Sequence, residues 1–506
     1  MKNQLRAGVY LSYINLALSA IIPFVYTPVM LRILGQSEYG LYSLSSSAVS
    51  YLGLLSFGFG STIIRYIAKY RAEEKKEEEE RTFGFFILLY CFLAIIVFSC
   101  GAVIANHVEG IFHKGLDADE LAKMKILVYI MAFNSALSFP VSVFSSMVTA
   151  HEKYIFRKLV DMLSTVAAPM GNLIALYIGY RSVGMALVST AIQFIMLPLN
   201  MGYCFTKLNL RPRFCLLPKA LVKEMVGFSA FVFIGSLVDM LFWSTDKVIL
   251  GMLSGSVAVA VYNVGGTFNN IVMNLSTSIS GVLTPKITGM VVKNASRNDL
   301  TELFIKVGRL QFIIIGLIVS GFTVFGQTFI NLWAGHDYAD AYWVAILTMF
   351  PLCIPLIQNT GLSIVVAQNK HQFRSIVYLI IAIANVISTY LVVPSMGFIG
   401  AALCSCIAYL VGQGLVMNIY YYKITGIDIP LFWRNILKMA VIPLCMMVIG
   451  LYVINRIKVD SWSVFLGGVV GYSCIYAILM YLLSMNAYEK NIITGPVKKI
   501  RGKFDK

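Results

Sequence analysis

Fourteen apolar runs, near residues 8–31, 41–64, 83–105, 126–149, 160–180, 184–205, 225–243, 257–284, 310–330, 343–366, 376–393, 399–421, 437–454 and 462–483, dominate the chain. Each is close to the ~20 residues with which a helix crosses ~30 Å of hydrocarbon, and none has the ~10-residue alternation of a membrane barrel. The expected fold class is an all-α polytopic membrane protein with about fourteen transmembrane helices. Composition agrees, with 58% apolar and 13% charged residues against roughly 45–50% and 25% in soluble domains.

The chain also repeats itself. Ala150, Lys153, Phe156, Arg157 and Val160 recur as Ala367, Lys370, Phe373, Arg374 and Val377. Ile33-Leu34-Gly35 returns as Ile249-Leu250-Gly251, and Gly184 with its neighbours as Gly400 with its own. One spacing shared by separated matches indicates duplication of a unit of roughly 200 residues, far longer than solenoid periods. The duplication maps spans one, two, five and six onto seven, eight, eleven and twelve. Because six is even, the halves enter the membrane the same way up, as in transporters built from parallel repeats. The expected organisation is an N-lobe over 1–206, a basic linker over 207–224, a C-lobe over 225–422, and two appended spans with a basic tail over 423–506. The lobes are thus two pseudo-symmetric six-helix bundles.

A net charge of +16 does not point to nucleic acid, because no soluble basic domain is present to receive it. With the amino terminus placed inside, the inner segments and their flanks hold 32 of the 40 Lys and Arg, which orients both termini to the cytoplasm. The run EEKKEEEE between Arg71 and Arg81 reads as a solvated helical extension. The basic tail after Ser484 reads as an anchor to anionic headgroups. The nine cysteines show no disulfide or zinc spacing. The dispersed histidines make no metal pattern, no motif for catalysis sits in a suitable setting, and no outer loop is long enough for a catalytic domain. The sequence therefore reads as a protein without catalytic residues, metal site or resident cofactor.

Polar residues inside the apolar runs carry the functional reading. In span eight, Asn263, Thr267, Asn270, Asn274, Ser278 and Gly281 recur at helical steps, so they face either a water-filled cavity or a neighbouring helix as hydrogen-bonding glue. Span two carries Ser43, Ser47, Ser50, Ser61 and Arg65 on a comparable stripe. Asp239 lies deep in span seven, and Ser236, Asp239, Trp243 and Asp246 follow steps of three and four, which places both carboxylates on one face beside Lys247. An intramembrane carboxylate is a candidate proton or sodium site or the partner of a basic group. Arg32 and Lys247 close one end of spans one and seven, and Arg65 and Lys286 the other end of two and eight. Such cations either snorkel to headgroups or form a vestibule for a phosphate-bearing substrate.

The passage LRILGQSEYGLYSL from Leu31, followed by Gly58-Phe59-Gly60 and Ile64-Arg65-Tyr66, resembles the opening of Wzx-type polysaccharide and O-antigen flippases. STDKVILGMLSG from Ser244, with Val261-Tyr262, is similar to the start of their second lobe. These belong to the multidrug/oligosaccharidyl-lipid/polysaccharide exporter superfamily. The resemblance covers essentially the whole chain. It implies two lobes alternating around a central cavity, in the bacterial cytoplasmic (inner) membrane. It also implies an undecaprenyl-pyrophosphate-linked oligosaccharide as substrate, with polysaccharide polymerases and glycosyltransferases as pathway partners. Carried over by position, it adds weight to Arg32, Arg65, Asp239, Asp246 and Lys247 as cavity or gate groups. Two departures matter. Span one has Pro23 and Tyr26 where a multidrug/cation antiporter carries a deep acidic residue, and the first lobe lacks the dense arginines that lipid II flippases suggest.

Overall fold

A computed structural model describes residues 2–293, 295–368, 370–457, 461–492 and 494, without the side chains of 2–9, 231, 278, 279, 282–286, 292, 371 and 372. No strand occurs among the described residues. The helices of the first half are α1 (Lys2–Ser50), α2 (Phe59–Ala72), α3 (Lys76–Asn106), α4 (Val108–Phe112), α5 (Ala118–Ala150), α6 (Tyr154–Ile178), α7 (Arg181–Thr206), α8 (Lys219–Trp243) and α9 (Thr245–Leu253). Those of the second are α10 (Gly255–Val292), α11 (Arg297–Trp333), α12 (Ala341–Ile357), α13 (Asn359–Ala367), α14 (His371–Tyr409), α15 (Met417–Tyr420), α16 (Ile429–Ile454) and α17 (Trp462–Leu479).

Among the described residues, ten helical stretches are long and apolar enough to cross a membrane, or up to eleven if the bent pair α12–α13 is one span. The count differs from fourteen partly because helices run on through breaks. The stretches Tyr10–Ala72 and Phe373–Thr425 each take in two of the apolar runs. Gly35, at φ 76°, ψ 174°, breaks α1, and Gly397, at φ 56°, ψ −140°, breaks α14. Glycine enters such backbone conformations without a Cβ penalty. Helix starts are written locally. Asp117 and Glu120 form a reciprocal capping box on α5, and Ser296 with Asp299 does the same on α11.

Contacts divide the chain into two compact units, one of Met1–Asn263 with Asn385–Ala401, the other of Val264–Ala384 with Ala402–Lys506. In the first, α5 is central, packing on α3, α7, α1 and α2. Its buried face carries Met124, Leu127, Val128, Phe139, Val143 and Met147. In the second, α11 is central, and the appended helices α16 and α17 pack on it through Val324, Met439, Ile442, Met446, Tyr472, Tyr476 and Met480. This unit also buries polar groups in pairs. The Asn418 Oδ1 accepts from Gln358 at 2.7 Å and from the Trp433 indole at 2.9 Å, while its amide satisfies carbonyls in the π-helical turn before it, at Gln413 and Gly414. Such satisfaction is what lets an amide stay in an apolar interior.

The acidic run is the solvated extension expected only over its first part, where Glu73, Glu74 and Glu77 are exposed and α3 reaches back to Lys76. Glu79 and Glu80 are buried, each 6% exposed. Glu79 lies 2.9 Å from the His151 Nε2, and Glu80 accepts from Arg213 at 3.1 Å. Arg213 also reaches Glu77 at 2.9 Å and donates its backbone N–H to the Glu80 carbonyl at 3.0 Å, so the linker after α7 is strapped to the start of α3. The charge pattern fits a solvated face or a strap equally well, and only the distant partners distinguish them. The tail's Lys498, Lys499, Arg501, Lys503 and Lys506 lie outside the described residues.

Candidate functional site

Within the first unit, α1, α5 and α7 leave between them a cleft of about 400 Å³. The second half of α1 contributes Tyr42, Ser46, Val49 and Ser50, α5 contributes Met131, Asn134, Ser135 and Ser138, and α7 contributes Ala186, Ser189 and Gln193, with Gly53 at one edge. Steps of three and four along each helix put these groups on one face. No charged residue lines the cleft. Its hydroxyls are already turned toward the backbone. Ser50 donates to the Ser47 carbonyl at 2.6 Å, Ser138 to the Ser135 carbonyl at 2.6 Å, and Ser189 to the Met185 carbonyl at 3.1 Å. The Asn134 Oδ1 is buried and has no hydrogen-bond partner. Hydroxyls and amides without charge, set in apolar helices, replace water around a polar, uncharged solute.

The serine stripe expected on span two is only partly in this cleft. Ser43 and Ser47 are each 6% exposed and packed inside, whereas Ser50 and the previously unremarked Ser46 line it. Sequence reasoning also missed Asn134, Ser135, Ser138, Ser189 and Gln193. The signal was available, since Asn134, Ser135 and Ser138 interrupt an apolar run at helical spacing.

On α10 the polar residues fall on two faces. Asn269, Ser276 and Ser280 are buried and act as glue, with Asn269 donating to Thr348 at 2.7 Å and Ser280 accepting from Asn359 at 2.9 Å. Asn270 and Asn274 are exposed. Asn263 belongs to the first unit and donates to the Tyr39 hydroxyl at 2.6 Å and to Ser43 at 3.1 Å, which ties the start of α10 to α1. The side chains of Ser278 and Lys286 lie outside the described residues.

The two carboxylates of span seven stand in different surroundings. A turn at Ser244, at φ −115°, ψ −29°, separates α8 from α9. Asp239 is exposed. Asp246 is 1% exposed and accepts from the Tyr262 hydroxyl at 2.5 Å and from Thr389 at 3.4 Å. Lys247 is half-buried beside it. Arg32 is exposed near the Gly35 break, and Arg65 is exposed with its guanidinium 4.5 Å above the Phe228 ring.

A second polar cluster stands where α5 begins. Glu38, 6% exposed, accepts from Arg181 at 3.0 Å and from the Ser182 hydroxyl at 2.8 Å, with Lys123 at 3.5 Å. Glu120 accepts from Ser37 and from Ser256, each at 2.5 Å. Beside it the backbones of α1 and α10 touch, and a Cβ at Gly40 would overlap the Ser256 carbonyl.

Comparison with known proteins places this geometry. A family model described as polysaccharide biosynthesis protein matches residues 5–291. An uncharacterized membrane protein of Methanocaldococcus jannaschii is 22% identical over 88% of this chain and 89% of its own. A putative O-antigen transporter of Shigella flexneri is 20% identical over 77% of this chain and 91% of its own. The lipid II flippase MurJ, in an inward closed conformation, superimposes with a TM-score of 0.72 at 15% identity, covering 94% of this chain and 98% of that one. The match over more than half its length shows that the chain, a multi-pass membrane protein with a MurJ-like fold, belongs to the polysaccharide biosynthesis protein family.

Proposed function

We propose that the protein is a flippase that moves an undecaprenyl-pyrophosphate-linked oligosaccharide from the inner to the outer leaflet of a bacterial cytoplasmic membrane, by alternating access, for surface polysaccharide export. The observation that carries this reading is the uncharged cleft of hydroxyls and amides inside the first unit. A glycan crossing hydrocarbon must exchange each hydration bond for a protein one, because an unmet polar group there costs several kcal/mol. The lipid tail stays in the bilayer among membrane lipids, and the sugars meet the cleft. With both termini cytoplasmic, Arg65 and Lys286 attract the pyrophosphate on entry, and Arg32 and Lys247 receive it on exit. Glycosyltransferases supply the substrate and a polymerase consumes the product.

The coupling ion is a proton or Na⁺ acting at Asp246 or Asp239. An ion drives the cycle only if it binds the two states with different affinity, and a buried carboxylate whose hydroxyl partners come from α10 and α14 is suited to that. A multidrug/cation antiporter is the second reading, favoured by the same carboxylate; the lining of the cleft supports the glycan instead. Arg65→Ala tests the first reading. Lipid-linked glycan is expected to accumulate in the inner leaflet, and unchanged transport would reject the role of Arg65.

A further inference from the structure

The cleft does more than offer polarity, because the direction of its hydrogen bonds is set. Ser138 and Ser189 give their protons to helix carbonyls at 2.6 and 3.1 Å, whereas Ser50 lies 2.6 Å from the Ser47 carbonyl, 3.2 Å from the Met240 sulfur and 3.4 Å from the Ser244 hydroxyl. A serine hydroxyl has one proton and two lone pairs, so a serine bonded back to its own helix presents lone pairs to whatever lies in front of it. The Asn134 Oδ1, one turn before Ser138, is a further acceptor, buried and without partner. Three acceptors thus line the cleft, drawn from α5 and α7. Neither Lys, Arg nor His lines it.

We infer, resting on the flippase reading, that this cleft selects sugars that are rich in hydrogen-bond donors and carry no negative charge, such as neutral hexoses and acetamido sugars, and disfavours hexuronic acids. Each sugar hydroxyl or amide N–H donates to a waiting lone pair. A carboxylate carries only acceptors. Placed in the same cleft, it loses its water and meets no cation among the lining residues, which is the costly case for a desolvated charge. The discrimination therefore lies in the helix walls rather than in the pyrophosphate, which every such substrate shares.

The test uses the full-length protein in vesicles of phosphatidylethanolamine and phosphatidylglycerol. Two synthetic polyprenyl-pyrophosphate lipids of equal tail length are compared, one bearing an N-acetylhexosamine disaccharide, the other the same disaccharide ending in a hexuronic acid. Transfer is read as the headgroup's exposure to a membrane-impermeant reagent. The neutral lipid is expected to cross at least about tenfold faster, a difference of ~1.4 kcal/mol. Asn134→Lys, which adds a cation and removes an acceptor, is expected to erase or reverse that ratio. Ser138→Ala, a milder change, is expected to slow the neutral lipid while leaving the acidic one unchanged. Equal wild-type rates overturn the inference. So does a ratio that stays the same in Asn134→Lys or, where that variant does not fold, in Ser138→Ala. If neither lipid crosses with the wild-type protein, the flippase reading itself fails and takes the inference with it.

Discussion

Phe156 lies flat on Tyr203, with ring centroids 3.8 Å apart and planes 12° from parallel. Phe373 lies on Tyr420 in the same way, at 4.6 Å and 8°. Both partners recur at the spacing that relates AHEKYIFRKLV to AQNKHQFRSIV, so each unit holds one copy of the same joint. The shared Lys-x-x-Phe-Arg pattern thus reports a packing device kept in both halves. Because each pair joins helices within its own unit, Phe156→Leu and Phe373→Leu are both expected to lower stability by about 1 kcal/mol, the contribution of a stacked aromatic pair beyond area. Thermal unfolding in detergent measures it.

Arg309 and Glu489 form a buried bidentate pair, at 2.6 and 2.9 Å, and Arg309 also donates to the Ser484 carbonyl at 2.8 Å. This clamps the segment after α17 to α11. Glu489→Gln leaves a buried guanidinium without its counter-charge, and about 3–5 kcal/mol is the expected loss. The double variant Arg309→Met with Glu489→Leu should recover most of it, since apolar pairs of similar volume replace buried ion pairs at little cost. The comparison is a double-mutant cycle on unfolding midpoints.

Gly40 sits where the α1 backbone meets the Ser256 carbonyl. Gly40→Ala forces those backbones apart and strains the bond from Ser256 to Glu120, so the expected result is a lower yield of folded protein or a lower midpoint by a few kcal/mol equivalents. Gly110→Ala is the control, because nothing lies within 4 Å of a Cβ there. Size-exclusion profiles of the two variants separate the outcomes.

The strap between Arg213 and Glu80 predicts a protease phenotype. Glu80→Ala removes an acceptor that holds the linker at 3.1 Å, and cleavage by trypsin after Arg213 is expected to accelerate severalfold, since exposed, loosely held segments are where nicking concentrates. An unchanged cleavage rate would mean that the backbone bond from Arg213 to the Glu80 carbonyl suffices.

Buried Asp246 is expected to matter differently from exposed Asp239. Asp246→Asn keeps the size and one acceptor oxygen, enough for the Tyr262 hydroxyl, while removing the charge and turning an amide N–H2 toward Thr389, so the expected outcome is folded protein whose transport no longer responds to pH or Na⁺. Asp246→Leu leaves the Tyr262 hydroxyl unsatisfied in the interior and is expected to cost about 1–3 kcal/mol. Transport across a series of pH and Na⁺ values, beside thermal melts, distinguishes coupling from support.

What the residues announced and what they concealed follows from range. The membrane class and the helical fold were legible because apolar length is a local property. The different surroundings of Asp239 and Asp246 were not legible, because the burial of Asp246 depends on Tyr262 and Thr389, farther along the chain. Burial of Glu79 and Glu80 depends on His151 and Arg213, far along the chain, and nothing inside the acidic run signals them. Asn134 and Ser138 were readable, as polar steps in an apolar run, yet the convergence of α5 with α1 and α7 that makes them a cleft is a tertiary fact.

The central claim is that the uncharged cleft carries the glycan. The direct measurement is transfer of a lipid-linked neutral oligosaccharide in reconstituted vesicles by the wild-type protein and by Asn134→Leu with Gln193→Leu, alongside the same pyrophosphate lipid without sugars. The account predicts that the double variant loses at least about tenfold of glycan transfer, consistent with two lost hydrogen bonds at about 1 kcal/mol each, while the sugar-free lipid is unaffected. Glycan transfer at the wild-type rate, or an equal loss for both lipids, would contradict it.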